Sequence, residues 1–252
     1  MGRARVNGDG TAGIAVVGPG ECHVWSARAH WVPELLDVLD EGERERCAQF
    51  RREEHRGLYL TAHVLARRVV AAQLSVDPRD VIFVLVCKHC TEPRGRPHGK
   101  PTLPGTPLEL SLSHSGRRVM VALTTAGPVG VDVEEVARQA DLPLDVLSAP
   151  ERAELERLPS VDRAGAFTRY WARKEAVLKA TGEGLMVDPA TLTVTGPAAP
   201  AQLIEWRERP EPHLPVRLED LDEGDDYRAA VAVVGDGDRV QVVRHPDTDV
   251  RV

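Results

Sequence analysis

The chain has 252 residues, a formal net charge of −7 at pH 7, 42% hydrophobic residues and 28% charged residues. These values exclude wholesale disorder, and the negative charge gives no support to general nucleic-acid binding. No apolar run approaches the ~20 residues of a membrane-spanning helix, and residues 1–13 lack the apolar core of a signal peptide. We therefore expect a cytoplasmic protein that binds neither nucleic acid nor membrane.

The first half of the sequence mixes helices and strands without the regular alternation of a doubly wound sheet. Its predicted elements, in chain order, are a strand at Glu21–Ser26, helices at Val32–Phe50 and Arg52–Leu74, and strands at Val81–Val86 and Leu108–Ser113. The longer helix is predicted from Leu58, Leu65 and Val69, which recur near the helical period. Prolines and glycines in residues 91–107 predict a loop.

The second half begins with two strand-like segments, residues 119–124 and 129–136. Gly127 and Pro128 between them favour a turn, so this pattern predicts a β-hairpin. The spacing of Ser148 and Glu151 is typical of a capping box at a helix start. The other predicted elements are a helix at Arg163–Thr181 and strands at Gln202–Arg207, Val216–Glu219, Tyr227–Val234 and Arg239–Val243.

Two acidic residues share one face of the strand predicted at residues 129–134. The strand period of two places the three valines of this segment on one face and Gly130, Asp132 and Glu134 on the other. We expect the valines in the core and the carboxylates on an open face. Carboxylates at i and i+2 lie about 7 Å apart along a strand and can hold one cation, although two solvated acids fit the local pattern equally well.

The helix at residues 165–179 carries three more charged side chains of interest. Its apolar stripe consists of Phe167, Tyr170, Trp171, Val177 and Leu178. Lys174 falls in the middle of this stripe, where its ammonium needs a carboxylate or a ligand phosphate unless it reaches water. Glu175 and Lys179 lie four residues apart on the shoulder of the stripe, as an ordinary ion pair or as part of a site.

These two acidic and basic segments together resemble the two-part signature of Sfp-type 4′-phosphopantetheinyl transferases. The first part is VGVDVE at residues 129–134, and the second is WARKEAVLK at residues 171–179. Residues 99–101 (GKP) and 113–116 (SHSG) also resemble segments of this family, and the resemblance extends over residues 43–185. Each part is a weak signal alone, whereas the pair in this order and spacing is specific.

The resemblance implies an α+β fold of two similar, pseudo-symmetric halves, each with a long helix packed on a small antiparallel sheet. We expect an N-terminal half at residues 1–127 that supplies most contacts to coenzyme A phosphates. A C-terminal half at residues 128–252 would carry the magnesium-binding carboxylates and the signature helix. Because one chain then supplies both sides of the cleft, we expect a monomer.

The resemblance also implies a reaction. A serine of an apo acyl carrier or peptidyl carrier protein attacks the β-phosphate of coenzyme A, takes up 4′-phosphopantetheine and releases adenosine 3′,5′-bisphosphate. Mg²⁺, with Mn²⁺ as an alternative, suits this chemistry because hard cations bind carboxylate and phosphate oxygens. The metal ligands implied for this sequence are Asp132, Glu134 and Glu175.

Other roles follow from the same resemblance. Glu175 is also the candidate general base, and Lys179, together with Lys174, is expected to neutralise the pyrophosphate. The groups expected to hold coenzyme A are Arg46, Arg56, Lys100, Ser113, His114 and Lys179. Arginines within residues 51–68 and Arg163, Arg169 and Arg173 are candidates for contact with an acidic carrier protein. Without the resemblance, all of these basic residues would be interpreted as ordinary surface charges.

Three alternatives stay open on the sequence. Cys87, Cys90 and His98 offer a zinc-binding pattern, although a second pair of ligands is missing and reduced loop thiols are the simpler interpretation. A non-catalytic protein that binds coenzyme A or carrier proteins is a second alternative, but all of the expected acids and lysines are present. A metal-dependent phosphohydrolase would also use clustered carboxylates.

Overall fold

The computed structural model describes residues 13–90, 98–136, 142–209, 214–235, 239–245 and 247–250. Its α-helices are α1 (Glu41–Ala48), α2 (Glu53–Leu74), α3 (Ala149–Arg157) and α4 (Ser160–Thr181). Its strands are β1 (Glu21–Arg28), β2 (Val84–Val86), β3 (Lys100–Thr102), β4 (Glu109–Ser115), β5 (Arg118–Thr124), β6 (Val129–Glu135), β7 (Leu192–Val194), β8 (Leu203–Trp206), β9 (Val216–Leu221), β10 (Tyr227–Val234) and β11 (Gln241–His245). None of these helices is long and apolar enough to cross a membrane. The predictions for residues 1–12 and 91–97 lie outside the described residues.

Helix α2 packs on a four-stranded sheet with the strand order β11-β1-β5-β4. Strands β1, β5 and β4 are antiparallel neighbours, whereas β11 runs parallel to β1. Leu60, Val64 and Leu65 of the helix meet Trp25 and Val121 of the sheet in a shared core. The apolar periodicity of residues 52–74 thus predicted a helix that the structure contains almost unchanged.

Helix α4 packs on a second sheet, which is antiparallel and has the order β6-β10-β9. Phe167 and Leu178 of the helix share a core with Ala230 of the sheet. The opposite face of this sheet packs on the first sheet, where Val131 meets the cluster that contains Val24. The layers are therefore α2, first sheet, second sheet and α4. The predicted α+β fold, with one long helix on a small sheet in each half, is confirmed.

The predicted hairpin of residues 119–124 and 129–136 is wrong. Strand β5 pairs with β1 and β4, and β6 pairs with β10 of the other sheet. Gly127 has a φ of +145°, and a Cβ at this position would lie 2.1 Å from the carbonyl oxygen of Val234. The Gly127-Pro128 segment therefore carries the chain from one sheet to the other instead of reversing it within one sheet.

The helix predicted at residues 32–50 is interrupted. A 3₁₀-helix covers Pro33–Val38, and α1 begins only after Asp40. The Asp40 carboxylate accepts the N–H of Glu43, and the Glu43 carboxylate accepts the N–H of Asp40, so a capping box fixes the start of α1.

Three serine side chains join β4 to β6, although these strands belong to different sheets. The hydroxyl oxygens of Ser111, Ser113 and Ser115 accept the backbone N–H groups of Val131, Val133 and Glu135 at 3.0, 3.4 and 3.1 Å. We call these three serines the serine seam. The seam aligns β6 against β4 and so fixes where the side chains of Asp132 and Glu134 lie.

The end of the chain returns to the first sheet. Strand β11 belongs in sequence to the predicted C-terminal half, residues 128–252, yet it pairs with β1. Val250 is buried in the core beneath α2, and its carbonyl accepts a hydrogen bond from Arg68 at 2.6 Å. The division into two halves near residue 127 stays a prediction. Strand β11 and Val250 pack against the first sheet and α2, so they connect the second part of the chain to the first.

Candidate active site

The acids of β6 lie beneath helix α4 rather than on an open face. Val131 and Val133 point into the core as predicted, and Asp132, on the opposite face, is only 1% exposed. A Cβ on Gly130 would lie 2.0 Å from the carbonyl oxygen of Ala176, so this glycine permits the close approach of α4. The expectation of an open face is wrong because the helix covers it.

Asp132 is held by two partners. One of its oxygens lies 2.6 Å from the Lys179 ammonium and 2.8 Å from the Ser113 hydroxyl, which donates to it. Its other oxygen, Oδ2, is buried and has no hydrogen-bond partner among the described residues. The ion pair of Lys179 is thus with Asp132 of β6, across the helix–sheet interface, and one carboxylate oxygen is left available.

Glu134 lies two residues further along the same strand face. Its carboxylate accepts hydrogen bonds from Ser115, at 2.7 Å, and from the Trp171 ring of α4. Burial and the neighbouring charge of Asp132 raise the pKa of Glu134 above its ordinary value. The protein therefore holds a second carboxylate in a place where its negative charge is unfavourable.

Glu175 projects from α4 toward these two acids. Burial, with the negative charges of Asp132 and Glu134, raises its pKa to about 7, although Lys179 acts in the opposite direction. Its Oε1 atom is buried and has no hydrogen-bond partner among the described residues. The pKa values of Glu134 and Glu175 are both raised, so the site favours a proton or a cation.

The residues present fit a divalent cation. Two buried carboxylate oxygens without partners, on Asp132 and Glu175, are hard ligands of the kind that Mg²⁺ prefers. The carboxylate oxygens of Asp132, Glu134 and Glu175 do not all lie within 4.8 Å of one another. These acids therefore do not form a closed cage around an ion. Mg²⁺ does not need one, because it commonly keeps waters and binds substrate phosphates beside one or two carboxylates.

Ser113 has a different role from the predicted contact with coenzyme A. Its hydroxyl donates to Asp132 and accepts from the Lys179 ammonium, at 2.8 Å, and from the Val133 N–H. One donor and two acceptor positions are the full capacity of a hydroxyl. Ser113 therefore positions the acid and the lysine and has no free donor for a phosphate.

His114 follows on the opposite face of β4 and is exposed. The protein atoms around the ring exclude part of its water, and this desolvation, together with the positive charge of Lys179, lowers the pKa of His114. His63 of α2 contributes in the same direction, which places the side chains of two helices and one strand around His114. A neutral imidazole in this position can donate one N–H to a phosphate oxygen.

Lys100 of β3 lies at the end of α4. Its ammonium donates to the carbonyl oxygen of Ala180 at 3.2 Å and lies 3.2 Å from the Glu109 carboxylate. Burial lowers the pKa of Lys100. Among the described residues, two of its three N–H groups have partners, and the third can donate to a ligand.

Arg46 and Arg56 form a separate pair at the corner between α1 and α2. The Arg46 guanidinium lies 5.4 Å from the centre of the Phe50 ring, and Arg56 donates to the Phe50 carbonyl at 2.8 Å. Arg56 also lies 6.0 Å from the Trp31 ring. The structure brings these two arginines together around Phe50, and Arg46 also donates to the side-chain amide oxygen of Gln49 at 3.2 Å.

Lys174 belongs to the protein interior. It is fully buried, its ammonium lies 2.6 Å from the Glu151 carboxylate, and it donates to the carbonyl oxygens of Val146 and Pro189. A buried Lys174 was expected to need a carboxylate or a ligand phosphate, and its partner is the carboxylate of Glu151. All three N–H groups are occupied, so we correct its role from a pyrophosphate contact to a structural one.

Three of the arginines considered for carrier-protein contact are also structural. Arg173 is buried and binds the Asp220 carboxylate and three backbone carbonyls. Arg67 is buried against Asp40 and Glu43, and Arg68 is buried beside Val250. These side chains satisfy interior groups and offer little charge to a partner.

Sequence reasoning missed several residues that support the site. The hydroxyls of the serine seam recur at every second residue of β4, and this period was a usable signal for a line of polar side chains on one face. Trp171 was assigned only to the apolar stripe. The contribution of His63 had no signal, because it depends on the packing of α2 against β4.

The C-terminal part of the chain matches a known protein family. A model of the family described as ACPS, the 4′-phosphopantetheinyl transferase superfamily, matches residues 128–232. This stretch contains the three acids, all of α4, the strands β6 to β9 and most of β10. The C-terminal part of the chain is therefore similar to transferases of this superfamily.

The family follows from a relative that matches most of the chain. The chain is 30% identical over 227 residues to the 4′-phosphopantetheinyl transferase HetI of Nostoc sp.. The aligned region covers 86% of this chain and 89% of that protein. It is 31% identical over 192 residues to a phosphopantetheinyl transferase of Thraustochytrium sp. (66% and 63%) and 31% identical over 137 residues to the transferase psf-1 of Bacillus pumilus (53% and 54%). The chain belongs to the 4′-phosphopantetheinyl transferase superfamily, as its two-part signature predicted.

Proposed function

We propose that this chain transfers 4′-phosphopantetheine from coenzyme A to a serine of an apo acyl carrier or peptidyl carrier protein, with Mg²⁺ bound by Asp132, Glu134 and Glu175. Adenosine 3′,5′-bisphosphate is the second product. Mn²⁺ can replace Mg²⁺, because both accept hard oxygen ligands.

One observation carries the metal assignment. The Oδ2 atom of Asp132 and the Oε1 atom of Glu175 are buried and lack a partner in the described part of the chain. Buried polar atoms in folded proteins nearly always have a partner. A divalent cation between these oxygens satisfies both and returns Glu175 to its charged form at neutral pH.

The transfer forms one P–O bond and breaks another. The serine oxygen bonds to the β-phosphorus, and the bond to the bridging pyrophosphate oxygen breaks, so that its electron pair leaves with adenosine 3′,5′-bisphosphate. Glu175 receives the serine proton, directly or through a water molecule. Lys179 neutralises charge on the phosphates, and bound Mg²⁺ supplies further charge neutralisation.

Basic residues from both halves hold coenzyme A in this proposal. Lys179 contacts the pyrophosphate, while Lys100, His114, Arg46 and Arg56 contact the 3′-phosphate from the N-terminal half. The spare N–H of Lys100 and the exposed ring of His114 support these assignments. We further propose a cytoplasmic monomer, since one chain contributes both groups of residues.

Intact-mass measurement of an apo carrier protein tests the proposal. After incubation with tag-free enzyme, coenzyme A and Mg²⁺, the carrier should gain the mass of one phosphopantetheine group, and a chelator should abolish the gain. Asp132→Asn should reduce the rate by at least about a hundredfold, the scale of losing a group that stabilises transition-state charge. Asp162→Asn, an exposed acid of α4, is the matched control and should keep the wild-type rate.

Two results contradict the proposal. One is a folded protein that modifies no carrier from fatty acid, polyketide or peptide synthesis. The other is release of free phosphopantetheine without a carrier, which identifies a phosphohydrolase.

A further inference from the structure

A second group of metal-ligating side chains lies in the loop between β2 and β3. The ligand atoms of Cys87, Cys90 and His98 all lie within 4.8 Å of one another. The Cys90 sulfur is 3.1 Å from the Nε2 atom of His98. Both cysteines are free thiols, and none of the three residues belongs to the acidic site.

The separations fit a tetrahedral zinc site. With Zn–S bonds of about 2.3 Å and Zn–N bonds of about 2.0 Å, tetrahedral geometry places two sulfurs about 3.8 Å apart and a sulfur and a nitrogen about 3.6 Å apart. The ligand atoms of Cys87, Cys90 and His98, all within 4.8 Å of one another, lie at separations of this order. Two thiolates and an imidazole are ligands that select zinc over magnesium.

The backbone holds the group in a turn suited to a thiolate. Interactions with the backbone N–H groups of His89 and Cys90 lower the pKa of the Cys87 thiol. Gly99 has a φ of +112°, and a Cβ there would lie 2.2 Å from the Val86 carbonyl oxygen. This close approach, which only glycine permits, brings His98 next to the residue that follows β2.

The strand that precedes the two cysteines is poorly packed among the described residues. Strands β2 and β3 form an isolated two-stranded sheet, and all three residues of β2 (Val84, Leu85 and Val86) are more than 40% exposed. An isolated pair of strands is marginal in water without further packing. A metal that links the ends of the two strands adds stability that this pair of strands does not gain from apolar packing.

We propose that Cys87, Cys90 and His98 bind one Zn²⁺, with water as the fourth ligand. The ion links residues 87–90, which follow β2, to His98, which precedes β3. The Glu183 carboxylate lies 3.2 Å from His89 and 3.7 Å from Lys88, so the turn that carries the two cysteines also contacts the end of α4. The site is structural and independent of the magnesium-binding acids.

Native mass spectrometry and elemental analysis of tag-free, reduced protein test the site. Wild-type protein should carry one zinc per chain, and Cys87→Ser with Cys90→Ser, or His98→Gln alone, should lose it. His89→Gln is the matched control, because His89 lies in the same turn but outside the ligand group, and it should keep the zinc. Glu175→Gln should also keep it, which separates this site from the acidic one.

Cobalt titration of wild-type protein gives a second measurement that does not depend on how the variants fold. One equivalent of Co²⁺ should produce thiolate charge-transfer bands and strong tetrahedral bands in the visible spectrum. The proposal is overturned if reduced wild-type protein binds no zinc or cobalt, if the double cysteine variant retains zinc, or if the isolated protein contains a Cys87–Cys90 disulfide in place of the metal.

Discussion

At the scale of single residues, the protein treats the charges of Lys174 and Glu175 differently. Lys174 has a carboxylate and two carbonyl groups around it, so its charge is fully compensated. Glu175 is half-buried beside two other acids, and its Oε1 atom has no hydrogen-bond partner in the described part of the chain. The first arrangement is typical of a structural residue, and the second is typical of a functional one, because its charge is compensated only when a ligand arrives.

The raised pKa of Glu175 predicts a pH-dependent stability. The unfolded carboxyl loses its proton near pH 4.5, but the folded one keeps it up to about pH 7. Between these values the folded state binds more protons, so this group lowers the free energy of unfolding as pH rises. Without metal, Glu175→Gln should therefore be more stable than wild type at pH 8, by roughly 1–2 kcal/mol after allowance for solvent screening, and equal to it near pH 4.5.

Denaturant unfolding at both pH values, with and without Mg²⁺, measures this effect. Mg²⁺ should stabilise wild-type protein at pH 8 and leave the variant unchanged, and the variant should not transfer phosphopantetheine. A variant that is equally stable at pH 8 and keeps full turnover would contradict both roles of Glu175.

The two lysines of α4 should respond oppositely to substitution by methionine. Lys174→Met leaves Glu151 buried without its partner, which should cost about 3–5 kcal/mol of stability while the folded enzyme keeps its KM for coenzyme A. Lys179→Met should raise this KM at least about tenfold, because it removes a phosphate contact. Steady-state kinetics below the unfolding temperature distinguish the two, and a raised KM in Lys174→Met would restore its predicted role as a phosphate contact.

At the scale of elements, local patterns were sufficient for the helices and insufficient for the pairing of strands. The periods of residues 52–74 and 163–181 predicted α2 and α4 because a helix is built from neighbours in sequence. The partner of β6 is β10, nearly one hundred residues away, and only tertiary packing selects it. The burial of Asp132 was missed for the same reason, since it depends on where α4 packs.

The contact between α4 and β6 depends on Gly130. Gly130→Ala should destabilise the protein by about 3 kcal/mol, since the new Cβ meets the backbone of Ala176 and Ala180, which cannot move independently of the helix. Gly42→Ala, at an open position in α1, is the matched control and should stabilise slightly, by about 0.5 kcal/mol. Thermal unfolding measures both, and equal effects would show that α4 does not need this close approach.

At the scale of the whole molecule, strand β11 forms one edge of the first sheet. A chain that ends at Gly235 loses β11 and the buried side chains of Val240 and Val250. Their burial contributes about 3 kcal/mol or more, so the shortened chain should unfold at a clearly lower denaturant concentration. A chain that ends at Val250 is the control and should match wild type; if both behave alike, β11 contributes nothing to stability.

The serine seam gives the junction of the two sheets an unusual dependence on sequence. In an ordinary ladder both partners are main-chain groups, so almost any residue except proline preserves the pairing. Here one partner is always a side-chain hydroxyl, and each rung exists only while position 111, 113 or 115 encodes one. Replacement of one of these serines by alanine therefore removes one contact between β4 and β6, so the junction of the two sheets depends on the identity of three side chains in a way that a main-chain ladder does not.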